Sequence, residues 1–343
     1  MQKHITHLNF AKGFRGGERQ TQLLITQLAQ KGYKQQLIVR KNSQLIKRCQ
    51  EIPHLHIIEI TKPYILHLNL IKDSTILHAH ETKALQFAYF AHLFFKKDYI
   101  VTRRVDNTIK PNFFNTQLYT QARHCVALSS AIQKTIEAVA PQANITIIPS
   151  AYNAIPIDKE KVNAIKQRFQ GKFLIGHVGA LDEKHKGQSH IITLAKKLEK
   201  KYPNIHFLLV GDGKDADMLK EMAHGLHNIT FEGFVTNVND YIAALDLFLF
   251  PSHNEGLGST LLDAMFCGVA IVASDVGGIP DIIKHNQNGL LFPSGDDEQL
   301  YKAVMELYEN EAKRDALAQQ GKKEIQKYAP ETMTQSYISL YKL

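Results

Sequence analysis

Residues 251–283 read PSHNEGLGSTLLDAMFCGVAIVASDVGGIPDII, a glycine-broken turn, a helix start and two acids within one short segment. The run before it, Asp246-Leu-Phe-Leu-Phe-Pro-Ser, has the length and apolarity of a buried strand, so Glu255–Gly258 is the loop leaving its carboxyl end. In open α/β sheets, ligands bind in the crevice at those ends. Gly256 and Gly258, on either side of Leu257, let the backbone turn sharply, and Ser259 or Thr260 can cap a helix running through Leu261, Leu262, Ala264 and Met265. The free amides of such a helix start form an anion site suited to a diphosphate. Glu255 in the loop and Asp263 in the helix flank those amides, one carboxylate placed for hydroxyls of a sugar and the other for a ribose.

Working outward, the first half alternates short apolar runs with amphipathic stretches. His4–Leu8, Gln36–Val39, Ile57–Ile60, Thr75–Ala79, Tyr99–Thr102, His124–Leu128 and Ile145–Ile148 read as strands, with Ala84–Phe95 and Ser130–Val139 among the helices between them. The pattern pauses over Pro149–Arg168 and restarts with Phe173–Val178, Ile205–Val210, Ile229–Phe231, Asp246–Phe250 and Ala270–Ala273. Strands alternating with helices imply doubly wound parallel sheets. The expected organisation is two Rossmann-like α/β domains facing across a cleft.

These features, with the following G-V-A-I-V-A-S-D-V-G-G-I-P-D and N-G-L-L-F-P, give the chain a resemblance to the retaining, nucleotide-sugar-dependent glycosyltransferases of GT-B fold. This is the large group 1 / family 4 type, here lipopolysaccharide-core-like, in which two acids separated by seven residues mark the donor site. The second acid is usually glutamate there; Asp263 is shorter by one methylene, about 1.5 Å of reach. The resemblance implies an N-terminal acceptor-side domain over 1–155, a nucleotide-sugar-binding domain over 156–325, and a last helix over 326–343 returning to the first domain.

Four further segments fit that frame. Lys12-Gly-Phe-Arg-Gly-Gly-Glu-Arg lies between the first strand and a helix starting near Gln20, and its glycine pair lets amides approach an anion. It lacks a three-glycine dinucleotide fingerprint; by resemblance Gly16 and Gly17 line the donor's phosphates. After Phe173–Val178 the family carries an arginine and then a lysine that neutralise the departing diphosphate; Lys186 matches the lysine, but the arginine position is Ala180, leaving Lys184, Arg15 or Arg19 to substitute. The strand-end turns holding Gly211 and Phe234 correspond to loops that pack the nucleotide. His78 and His80 share one face of a strand by period two; the resemblance assigns His80 to the donor sugar near its anomeric carbon, while satisfied core histidines or a metal pair are the other readings. Arg103 and Arg104 suit a phosphate or carboxylate on the acceptor, or one ion pair with Asp106.

Composition bounds the partners. The 343 residues are 44% apolar and carry net charge +8. Residues 1–155 hold 20 Lys and Arg against 8 Asp and Glu, whereas the remainder holds 21 against 25. A basic first half suits an acidic partner such as a phosphorylated glycolipid or the anionic inner face of the cytoplasmic membrane. The helix Phe87–Lys97 reads as core first and as membrane-surface second. No nucleic-acid-binding motif stands out, so nucleic acid is not an expected partner. Cys49, Cys125 and Cys267 lack close pairing or metal spacing, and the N-terminal residues lack a signal-like apolar core, so a cytoplasmic setting is the expectation. The implied activity is transfer of a hexose, with retention, from a nucleoside diphosphate, uridine diphosphate being the commoner, to a hydroxyl of a glycan or glycolipid in envelope assembly. Glu255, Lys186 and His80 are the candidate catalytic residues, and neither metal nor cofactor is expected. A catalytically degenerate sugar-nucleotide-binding protein and a nucleotide-sugar epimerase are the alternatives.

Overall fold

A computed structural model describes residues 4–341. The chain forms two units: one runs up to Ala151 and resumes at Pro330, the other is Tyr152–Ala329. The first contains β1 (His4–Asn9), β2 (Lys34–Arg40), β3 (Leu55–Ile60), β4 (Ile76–Ala79), β5 (Tyr99–Arg103), β6 (His124–Ala127) and β7 (Ile145–Ile147), in the order β3-β2-β1-β4-β5-β6-β7. The second contains β8 (Phe173–Val178), β9 (Ile205–Val210), β10 (Ile229–Gly233), β11 (Leu247–Phe250), β12 (Ala270–Ser274) and β13 (Leu290–Phe292), ordered β10-β9-β8-β11-β12-β13. Every strand pair in both sheets is parallel. Such sheets are covered on both faces, so their strands are near-continuous apolar runs; β9 and β11 are buried at every residue. Two parallel-sheet α/β units agree with the expected architecture.

The strand order reverses between β1 and β4 in the first sheet and between β8 and β11 in the second. These switch points place the loops after β1 and β4 together, and those after β8 and β11 together. Beneath the first switch point, Ile5, Leu24, Ile76, Ile100 and Val126 pack with Met333, Tyr337 and Tyr341, so the helix Pro330–Leu340 is part of the first unit's core. Beneath the second, Ile175, Phe207, Leu249 and Val272 pack with Leu300, Val304 and Leu317.

The two units divide at 151/152 and 329/330, beside the expected 155/156 and 325/326, and hydrogen bonds hold the chain on either side of the first crossing. The Gln20 side chain donates to Ala151 O at 2.7 Å and accepts from Ala151 N–H at 3.0 Å, holding the end of the first unit. The next residue belongs to the other unit: Tyr152 N–H donates to Tyr328 O at 3.1 Å. Asn239 Nδ2 then donates to the carbonyls of Asn153 and Ile155 at 2.9 and 2.8 Å.

The helix Thr82–Phe95 is divided between core and surface. Phe87, Ala88 and Ala91 are buried, whereas Leu93, Phe94 and Phe95 of the last turn are exposed. Among the described residues no helix is long and apolar enough to cross a membrane.

Gly211, just past β9, has φ +140°, and a Cβ there would lie 1.9 Å from Gly179 O. The obstacle is backbone, so no rotamer relieves it. Gly211→Ala is expected to destabilise the second unit by about 3 kcal/mol or more; a urea-unfolding midpoint equal to the parent's would contradict this.

Candidate functional site

At the second switch point the loop after β8 forms the short helix Glu183–Lys186, ended by Gly187 at φ +61°. A Cβ on Gly187 would meet Pro251 O at 2.4 Å, so glycine lets this loop lie directly on the one leaving β11. His253 N–H donates to His185 O at 3.0 Å across the same contact. This brings Lys186 to Glu255: Nζ is ion-paired and hydrogen-bonded to Oε2, with both side chains partly accessible. Lys186 Nζ also lies 5.1 Å from the centre of the Phe250 ring. The Glu255 carbonyl accepts from Gly278 N–H at 2.9 Å, which ties the acidic loop to the V-G-G-I-P turn. The residues singled out for the sugar and for the diphosphate thus stand side by side.

The helix that follows is Ser259–Cys267. Its cap is Gly258 at φ +85°, with no side-chain capping bond, rather than the expected Ser259 or Thr260. The Gly258 carbonyl takes the Leu261 amide at 2.9 Å, and the amides of Ser259 and Thr260 before it have no intrahelical carbonyl to reach. Gly256, Leu257 and Gly258 are buried, and the Leu257 side chain lies in the core.

Asp263 departs from the expectation of a ribose contact. It is 0% exposed, and its Oδ1 accepts from Asn153 N–H at 2.7 Å. The carboxylate is drawn onto the entering chain, where it satisfies a backbone amide that would otherwise be buried unpaired. Gly211 serves the close approach of two strand ends. Phe234, immediately past β10, is 74% exposed, a large apolar ring presented to solvent at the carboxyl edge of the sheet. Ala180 is exposed and its carbonyl accepts from Gln188 Nε2 at 2.8 Å; Lys184 of the same loop is exposed.

His177, which sequence reasoning passed over, lies under this site. It is fully buried on β8, its Nδ1–H donates to Leu249 O at 3.0 Å, and Gln188 Nε2 approaches its Nε2 at 3.4 Å. Burial, aided by the nearby Lys186 charge and opposed by the Leu249 bond, lowers its pKa from 6.5 to about 4. The ring therefore joins β8 to β11 as a neutral group. A histidine in a strand gives no sequence signal for such a bridge, because its partner carbonyl is set by the sheet order.

In the first unit the helix after β1 is Gly16–Gln30, starting four residues before Gln20, so Gly16 and Gly17 are its first two residues. Glu18 accepts from Arg15 N–H at 3.0 Å. Arg103, expected to face an acceptor, is instead buried and spent on the fold: Nη1 donates to Tyr119 Oη at 3.1 Å and Nη2 to the Asn107 carbonyl. Arg104 lies against Gly17, where a Cβ would be 3.2 Å from its Cδ.

His80 is 3% exposed and does not present an open ring edge as expected. Its Nε2 is 3.0 Å from Nδ1 of His7, a residue of β1 whose separation of 73 positions hid the pairing from sequence. His78 bonds Tyr341 Oη at 2.6 Å and Thr102 Oγ1 at 2.7 Å. Ligand atoms of His7, His78 and His80 lie within 4.8 Å of one another, the spacing of a metal cluster. All six ring nitrogens, however, have partners: Gln35 and His80 for His7, Tyr341 and Thr102 for His78, His7 and Arg104 for His80. A cation would have to displace these bonds and sit beside a guanidinium. Burial, the largest cause in each case, lowers the pKa of His7 to about 4 and those of His78 and His80 well below 6.5.

Comparisons with known proteins agree with this picture. Residues 158–324 match the family described as Glycosyl transferases group 1. A 2-deoxystreptamine N-acetyl-D-glucosaminyltransferase of Niallia circulans is 28% identical over 191 residues, 54% of this chain and 49% of that protein. The lipopolysaccharide core biosynthesis glycosyltransferase LpsD of Rhizobium meliloti is 27% identical over 46% of each chain. The chain thus spans about half the length of these curated relatives. The crystal structure of Anabaena HepE in complex with UDP and glucose superposes with TM-score 0.85 at 20% identity, covering 99% of both chains, a likeness of fold.

Two predictions follow from the burial of these groups. Histidines held neutral have folded pKa values below the unfolded 6.5, so the unfolded chain takes up more protons as pH falls below it. Their contribution is complete above about pH 6.5 and is lost as pH falls toward 4, at up to about 1.4 kcal/mol per pH unit for each; a flat unfolding free energy between pH 7 and 5 would refute it. Asp263→Ala is expected to cost about 1–3 kcal/mol by leaving Asn153 N–H unpaired, read as a lowered urea midpoint.

Proposed function

Because the chain carries a glycosyltransferase group 1 domain at residues 158–324, on a fold of two parallel α/β sheets of GT-B type, we propose that it is a retaining, metal-independent hexosyltransferase using a UDP-sugar. The observation that carries this reading is the Lys186–Glu255 pair beside the open start of helix Ser259–Cys267. Without donor the two side chains neutralise each other. With donor, Lys186 turns to the diphosphate together with the amides of Ser259 and Thr260, and Glu255 accepts from sugar hydroxyls. Phe234 offers a face on which a nucleobase can stack. The UDP in the Anabaena HepE complex supports uridine as the base, and the lipopolysaccharide-core relative supports an envelope glycan or glycolipid acceptor.

Retention by two displacements needs a carboxylate nucleophile beneath the anomeric carbon. Asp263 is enclosed, and Glu255 in this reading is occupied with the sugar hydroxyls, so neither is assigned that role. We infer a front-face substitution. The bond from the anomeric carbon to the phosphate oxygen breaks, the bond to the acceptor oxygen forms on the same face, and the acceptor's proton passes to the departing phosphate oxygen. Lys186 and the helix amides stabilise the charge that develops there. The exposed Phe94 and Phe113, on the basic first unit, suit an acceptor held at an anionic membrane surface at the cytoplasmic side. A protein that binds the donor without turnover is the second reading, favoured by Ala180 at the arginine position and by the enclosed Asp263.

UDP-sugars should raise the thermal midpoint, since a ligand of the native state stabilises by mass action. Phe234→Ala should weaken UDP binding about 5- to 100-fold, the worth of one base–aromatic stack, without changing the unliganded midpoint. Glu255→Ala should lower transfer about 100-fold or more. Unchanged affinity in the first and unchanged turnover in the second would defeat the assignment; tight donor binding with no glycoside formed on any acceptor would favour the binding-only reading.

A further inference from the structure

Arg104 is a cation at a helix start, with no carboxylate of a described residue within ion-pair distance. Among the described residues its Nε, shut off from solvent, has no hydrogen-bond partner, and its one such contact is from Nη2 to His80 Nδ1 at 3.5 Å. Its side chain runs along Gly17, the second residue of the helix Gly16–Gln30, with Nε 3.9 Å from where a Cβ of Gly17 would be. Helix starts carry partial positive charge from unpaired amides, so a guanidinium there is unfavourable until an anion joins it. Glu18 attracts Arg104 from a distance, but its carboxylate is taken by Arg15 N–H.

The surroundings orient this cation. Gln35 Nε2 donates to Ile25 O at 2.9 Å, which sets its Oε1 as an acceptor. His7 Nε2–H must then donate to Gln35 Oε1 at 3.0 Å, leaving His7 Nδ1 to accept from His80 Nε2–H at 3.0 Å. The lone pair of His80 is thereby on Nδ1, the atom facing Arg104. The chain Gln35–His7–His80 holds an acceptor against one arm of the guanidinium and leaves the others for a ligand. Arg103 offers no such arms, being bonded to Tyr119 and Asn107.

We propose that Arg104, positioned by His80, His7 and Gln35 and flanked by the amides of Gly16 and Gly17, is the receptor for an oxyanion on the acceptor, a phosphate monoester or a carboxylate borne by the glycan. This rests on the transferase reading, in which the donor's diphosphate is served by Lys186 and helix Ser259–Cys267 of the other unit. The first unit's excess of positive charge points the same way.

The experiment is thermal stabilisation by glucose 6-phosphate, glucuronate and glucose at constant ionic strength, on the parent, Arg104→Gln, Arg104→Lys and Lys186→Ala, with UDP as a separate arm. One or both charged sugars should stabilise the parent and Lys186→Ala, glucose should not, and Arg104→Gln should bind at least tenfold more weakly; which charged sugar acts tells phosphate from carboxylate. Arg104→Lys should recover part of the affinity. In the parent, the charged sugar should also shift the nitrogen-15 resonance of His80 Nδ1, a readout that decides the matter if Arg104→Gln does not fold. No stabilisation by either charged sugar, full stabilisation in Arg104→Gln, or loss confined to Lys186→Ala overturns the proposal. So does loss of UDP binding in Arg104→Gln, which would give Arg104 to the donor. Failure of the transferase reading looks different: UDP-sugars would not bind at all while Arg104-dependent anion binding persisted.

Discussion

A parallel strand cannot be followed by its neighbour through a tight hairpin; the chain must cross back over the sheet before pairing again. In both sheets of this protein every pair is parallel, so all loops leaving carboxyl ends gather along one edge. Where the strand order reverses, adjacent loops diverge to opposite faces and leave a crevice. The Lys186–Glu255 pair stands at one such reversal, and Gly16, Gly17, His80 and Arg104 at or beside the other. Glycines set how closely the loops approach. Gly187 lies against Pro251 O and Gly211 against Gly179 O, contacts that a methyl group would prevent.

Polar groups buried beneath these edges give each crevice its electrostatic character. His177 joins β8 to β11 as a neutral donor to Leu249 O, so the charge of Lys186 meets no second cation below it. In the first unit neutral His7 and His80 form a connected set with Gln35 beside Arg104, while His78 is bonded to Tyr341 and Thr102. Fully paired, such sets specify one arrangement, whereas an unpaired member would be costly. Acid sensitivity is a consequence of this arrangement, since protonating His80 would put positive charge beside an existing guanidinium.

Much of the fold was legible because buried parallel strands are apolar and short. Phe173–Val178 and Ile205–Val210 coincide with the observed strands to the residue, while β13, only Leu290–Phe292, was too brief to stand out as a strand. The candidate site was legible where chemistry and local spacing coincide. Glu255, Gly258 and the helix start are neighbours in sequence, and Lys186 matches the lysine that the family resemblance implies after β8. It was not legible where a side chain's partner comes from elsewhere in the chain. Asp263 was read as a ligand contact from its distance to Glu255, but Asn153, 110 positions away, occupies its oxygen. Arg103 and Arg104 look equivalent as a pair; Tyr119 and Asn107 engage the first, and the helix start with His80 meets the second.

By itself the sequence determined that there would be two parallel α/β sheets, which loops would leave their carboxyl ends, and which residue types those loops would bring, since these depend on hydrophobic runs and turn chemistry within a few residues. Only the tertiary structure decided which of those side chains are paired, enclosed or left open. Burial and hydrogen-bond partnership are set by strand order and by contacts between residues tens to hundreds of positions apart, as in His7 with His80, His78 with Tyr341 and Asp263 with Asn153. A titratable group carries the same letter in water as in a core, and desolvation and its partners decide its charge.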